Sequence, residues 1–157
     1  MWHRSLVLSF LASCMPLAAA ATFNIVGDCR FLADPSRLQA GAGSDLVPVI
    51  ESQPGCYRIF IQTQGDQDRW RLSASCQVQA LPDQCMLMMR VSNASIGGQI
   101  SQSWLDWQQL GNQRLPLAEG QGPANAIEVQ IKIVDLHLKN LNRAQYAPRI
   151  TFEVEDL

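Results

Sequence analysis

The chain has 157 residues, 47% of them hydrophobic and 17% charged, with a formal net charge of −2. That length suits one domain with its own core, and the apolar fraction excludes wholesale disorder. The low charge lacks the broad positive field of nucleic-acid or anionic-membrane binders.

Residues 1–21 read as an export signal. Arg4 with His3 makes a short positive start, Ser5 to Ala12 begins an apolar stretch, and Ala18-Ala19-Ala20-Ala21 offers small residues for cleavage. Pro16 interrupts the stretch, which is too short for a membrane span. A competing reading lies inside it, because Leu11-Ala12-Ser13-Cys14 resembles the lipobox of bacterial lipoproteins. Ordinary cleavage is the preferred reading. It leaves a single domain, 22–157, with a net charge of −3 after loss of Arg4 and with no transmembrane segment. His137 is then the one histidine left.

The body alternates apolar and polar residues, the period of half-buried strands. In chain order the expected strands are Thr22–Val26, Asp45–Glu51, Tyr57–Gln62, Trp70–Ser75, Cys85–Ser92, Gln99–Trp104, Ala126–Asp135 and Ile150–Val154. Tyr57–Gln62 and Trp70–Ser75 flank the polar stretch Gln64-Gly65-Asp66-Gln67-Asp68 and read as a hairpin. Met86-Leu87-Met88-Met89 is apolar on both faces, which places its strand centrally. Gly-rich loops are expected at Ala40–Ser44 and Glu119–Pro123. Asp34 followed by Pro35 can open one helical turn. Leu136–Asn142 fits neither period and reads as a loop that docks apolar side chains. About eight short strands between turn signals indicate an all-β fold, an antiparallel Ig-like β-sandwich stabilised by disulfides.

Without Cys14, four cysteines remain: Cys29, Cys56, Cys76 and Cys85. An even number in an exported chain reads as two disulfides. Four cysteines permit three pairings. Cys76–Cys85 across the Pro82-Asp83 turn, with Cys29–Cys56, is preferred, and Cys56–Cys76 is the rival. No C-x-x-C pair exists to suggest redox or zinc chemistry.

Two segments together resemble the WxL-type domains of bacterial cell surfaces. The first is Trp70-Arg71-Leu72, matching an internal Trp-x-Leu. The second is Tyr146-Ala147-Pro148-Arg149-Ile150-Thr151-Phe152-Glu153-Val154, which parallels the family's closing Tyr-x-x-x-Ile-Thr-Trp-x-Leu. Tyr146, Ile150 and Thr151 match, while Phe152 and Val154 stand where the family has Trp and Leu. The resemblance implies a secreted β-rich module held non-covalently at the cell wall. The order strand, leucine-bearing connection, tyrosine, strand is also similar to exported Ig-like domains and pilus subunits. Tyr146 there has an architectural rationale, filling the sandwich end.

Candidate sites are few. Trp104-Leu105-Asp106-Trp107 offers aromatic rings beside a carboxylate, a combination suited to glycans, and Gln108, Gln109 and Asn112 lie nearby. Trp104 and Trp107 cannot share one face of a regular strand, so one of them is expected in the core. His137 has no G-x-S-x-G or similar nucleophile context. Asp66 and Asp68 fall short of a calcium loop. Asp106 and Glu119 are carboxylates that nothing in the pattern brings together. Asn93-Ala94-Ser95 is a glycosylation sequon. No catalytic residue, metal or cofactor is expected.

The expected function is therefore a non-catalytic binding domain, exported to the extracellular space, cell surface or periplasm. Its partners would be cell-wall polysaccharide or other surface proteins. The alternative is a pilus-like or adhesin subunit that self-associates through an edge strand, with Thr22–Val26 as donor.

Overall fold

The computed structural model describes residues 21–29, 40, 45, 48–77, 85–94, 99–137 and 149–157. Residues 1–20 of the export signal, Cys14 among them, the helical turn at Asp34, the Pro82-Asp83 turn and Tyr146 lie outside the described residues, as does most of the Leu136–Asn142 loop.

Among the described residues the fold is all-β, with ten strands. They are β1 (Thr22–Gly27), β2 (Val49–Glu51), β3 (Tyr57–Gln62), β4 (Arg69–Cys76), β5 (Met86–Ala94), β6 (Gln99–Ser103), β7 (Gln108–Gln109), β8 (Leu115–Gln121), β9 (Ala124–Val134) and β10 (Ile150–Asp156). Two antiparallel sheets stack as a sandwich. The six-stranded sheet has the order β1-β3-β9-β5-β7, with β2 also on β9, and the four-stranded sheet has the order β10-β4-β8-β6. No helix among the described residues is long and apolar enough to cross a membrane.

Alternation decides which side chains enter the core. Ile59 and Ile61 of β3 turn inward with Leu87, Met89 and Val91 of β5 and with Ile127, Val129, Ile131 and Ile133 of β9. Trp70, Leu72 and Ala74 of β4 meet them from the other sheet, with Leu117 and Phe152. Each buried Val, Leu, Ile, Met or Phe side chain contributes about 1.5–3 kcal/mol through burial.

Three expectations change. Tyr57–Gln62 and Trp70–Ser75 do not form a hairpin, because β3 pairs with β1 and β9 while β4 pairs with β10 and β8. The polar stretch after Gln62 is an arch between sheets. Both strands carry one apolar face, and the arch buries those faces against each other rather than laying the strands side by side. Glu119–Pro123 is not a loop, since β8 runs through Gln121 and only Gly122, at φ 70°, and Pro123 separate it from β9. Finally, β9 holds the centre of its sheet and β5 lies second from the edge.

The two long sides of the sandwich differ. At the β5–β6 side, Trp104 joins the sheets: its N–H donates to Leu117 O at 2.9 Å, and its carbonyl accepts from Val91 N at 2.9 Å. At the other side, β1 and β10 are both edge strands. A cleft of ≈ 370 Å³ opens between them, lined by Phe23, Phe152 and Val154 and by Arg114, Glu153 and Glu155.

Candidate functional site

The segment Trp104–Trp107 is where the chain crosses from β6 of one sheet to β7 of the other. The two backbone bonds of Trp104 fix the crossing to β8 and β5. Leu105 is 56% exposed, Asp106 is exposed, and Trp104 and Trp107 are both half-buried. Neither tryptophan is a core residue; Trp70 holds that role instead, fully buried.

Trp107 lies over the outer face of the six-stranded sheet. Gln108 pairs with Met89, so Trp107 falls one step further, beside Arg90. The Arg90 guanidinium carbon and the Lys132 Nζ each lie 4.5 Å from the Trp107 ring centroid. A cation at that distance is attracted by the ring quadrupole. Arg90 is held from below, because its Nε and Nη2 donate to Gln130 Oε1 at 3.1 and 2.9 Å. Gln130, only 3% exposed, in turn donates Nε2 to Ser52 O at 2.8 Å. Ser52 completes the support, with its Oγ accepting from Ile131 N at 3.0 Å. The site is thus a ring and two cations on a fixed polar base. Sequence reasoning found Trp107 but not Arg90 or Lys132. The available signal was their outward position on β5 and β9.

Of the residues of the WxL-like resemblance, Trp70, Leu72 and Phe152 are brought together in the interior. Trp70 and Leu72 are fully buried on β4, and their register partners on β10 are Asp156 and Val154. The Trp70 Nε1 donates to Gly122 O at 2.7 Å. Phe152 is buried and meets the Tyr57 ring edge-on at 5.6 Å. Ile150 and Val154 are half-buried, and Thr151 is exposed. Burial, with a smaller push from Asp28, raises the Tyr57 hydroxyl above its ordinary 10.0 against an opposing hydrogen bond with the Cys29 backbone.

Cys29 and Cys56 form a disulfide, as expected, which suits an oxidising compartment. Cys76 and Cys85 do not: both are free thiols, buried in the core. They come from different sheets, Cys76 ending β4 and Cys85 preceding β5, and each is packed as a small apolar group. Burial raises both thiols above 9.0, with Asp135 adding to the effect at Cys85.

The remaining candidates take structural places. His137 Nδ1 lies 2.6 Å from Asp45 Oδ2. Asp68 Oδ2 accepts from Gly65 N at 2.8 Å and closes the arch. Glu119 accepts from Arg71 Nε at 2.6 Å on the outer face of the four-stranded sheet, where Arg71 also reaches Glu155. Arg114 bonds Glu153 at 2.6 Å nearby. Thr22–Val26 is not a free arm, since it pairs with β3 along its whole length and is followed by the Cys29–Cys56 bond. In comparisons with family models, curated proteins and solved structures, the chain has no match.

Proposed function

We propose that this chain is an exported, non-catalytic domain that binds at the cell surface or cell wall. The carrying observation is the Trp104–Trp107 crossing: an exposed apolar and acidic tip flanked by two half-buried indoles, fixed by backbone bonds to both sheets. A loop on a rigid scaffold presents recognition groups without large ordering cost on binding. The WxL-like segments support the reading at the level of architecture. Trp70, Leu72 and Phe152 then serve as the core on which the binding face is built, and contact with the wall belongs to other residues. The Cys29–Cys56 disulfide fits the same compartment.

Co-sedimentation of the purified chain with peptidoglycan sacculi tests the reading. Retention in the pellet above an inert protein of similar size supports it. A protein that stays wholly in the supernatant contradicts it.

Strand donation to another subunit draws less support. The donor segment Thr22–Val26 already has a partner strand in its own sheet. The β10 edge carries Glu153, Glu155 and Asp156, the kind of charge that discourages edge-to-edge pairing.

A further inference from the structure

Arg58, Arg71 and Arg114 each form ion pairs with glutamates. Among the described cations, Arg69 and Arg149 are exposed and form no ion pair with a described residue, as is ordinary for solvated side chains. Arg90 and Lys132 form none among the described residues, although both are only half exposed. Glu51 stands opposite Lys132 in the β2–β9 register and Asp106 is next to Trp107 in the chain, yet neither makes an ion pair with the two cations. The cations nevertheless converge on one indole ring.

Two like charges drawn to one ring repel each other, and partial burial raises the cost of leaving them without an anion. The arrangement is also fixed in advance. Gln130 holds Arg90 through Nε and Nη2, which leaves Nη1 with no acceptor among the described residues. Lys132 likewise keeps its ammonium donors free of protein acceptors there. Arg90 and Lys132 are diagonal neighbours across β5 and β9, since Arg90 pairs with Gln130 and Met88 pairs with Lys132. Both project from the face that carries the Trp107 ring.

We propose that Arg90, Trp107 and Lys132 form an anion site that takes the carboxylate or phosphate groups of an acidic surface polysaccharide. The two cations hold the anionic group, and the rim of Trp107 packs the adjoining sugar. This rests on the surface-binding role proposed above and names the chemistry of its ligand. It is compatible with a net negative chain, because recognition here is local.

Isothermal titration of the full chain with polygalacturonate, inorganic polyphosphate and neutral dextran tests the site. At least one acidic polymer is expected to bind while dextran does not. Polygalacturonate alone assigns the anion as carboxylate, polyphosphate alone as phosphate, and both together as either. Lys132→Gln and Arg90→Gln are each expected to weaken binding about five- to tenfold, the loss of one charged contact. Lys132→Gln leaves the Arg90–Gln130 bonds in place, and circular dichroism confirms that each variant is folded. The site is overturned if neither acidic polymer outbinds dextran, or if both variants bind as the parent does. Sacculi retained equally by parent and variants leave the surface-binding role standing and remove this site. Acidic polymers bound here without retention of sacculi do the reverse.

Discussion

The indole N–H of Trp70 donates to the carbonyl of Gly122 at 2.7 Å, tying the start of β4 to the crossing between β8 and β9. Gly122 sits at φ 70°, and a Cβ there would lie 3.0 Å from the Asp66 carbonyl oxygen. The same corner is closed by Gly122 N donating to Asp68 O at 2.8 Å. Arch, crossing and core tryptophan therefore form one unit. Trp70→Phe removes the donor, strands a buried carbonyl and leaves a void. A loss of about 2–4 kcal/mol is expected in urea unfolding. A loss below about 0.5 kcal/mol contradicts this role for the bond.

The Cys29–Cys56 disulfide holds the edge strand β1. The strand is mostly exposed, with Val26 at 51%, so burial alone retains it weakly. The bonded cysteines are 27 residues apart in sequence, and closing such a loop contributes about 3.5 kcal/mol in the chain-entropy account. Replacing both by serine is expected to lower stability by that order and to speed hydrogen exchange selectively in Thr22–Gly27. Unchanged exchange in β1 contradicts the tether.

Gly27 makes that closure possible. It adopts φ 111°, and a Cβ there would collide with the Cys56 backbone carbonyl. Gly27→Ala is expected to destabilise the chain by about 1–3 kcal/mol through backbone strain, read as a lower urea midpoint. A midpoint equal to the parent's contradicts the close approach.

Cys76 and Cys85 are buried thiols whose ionisation is pushed above 9.0 by burial. The folded chain retains these protons at pH values where the unfolded chain has released them. Their contribution to stability is complete below about pH 9 and declines as the pH rises past it. Both thiols are expected to resist alkylation at pH 8 in the native chain and to react quickly in guanidinium. Native labelling at the rate of a free thiol contradicts their burial.

The alternation of Ile127, Val129, Ile131 and Ile133 made β9 legible, as did Ile150, Phe152 and Val154 for β10, because a half-buried strand writes its period into the chain. Pairing was harder to read. The arch between β3 and β4 carries the same turn residues as a hairpin, and only the opposing apolar faces of Ile59 and Leu72 distinguish them. Leu115–Gln121 was missed since Pro116 and Gly120 mask a strand that packs through Leu117 and Ala118. Of the site, Trp107 was visible as a residue type. Its cations were not, because Arg90 and Lys132 lie 17 and 25 residues from it in sequence and meet only through β-pairing.

Ligand contacts are expected to gather at the Trp104–Trp107 crossing and the sheet face beneath it. Hydrogen–deuterium exchange of the full chain, with and without soluble peptidoglycan fragments, tests this directly. Slowed exchange at Leu105, Asp106 and Trp107, with the outer face of β4 and β10 unchanged, is the expected result. Protection confined to β4 and β10, or none at all, would contradict it.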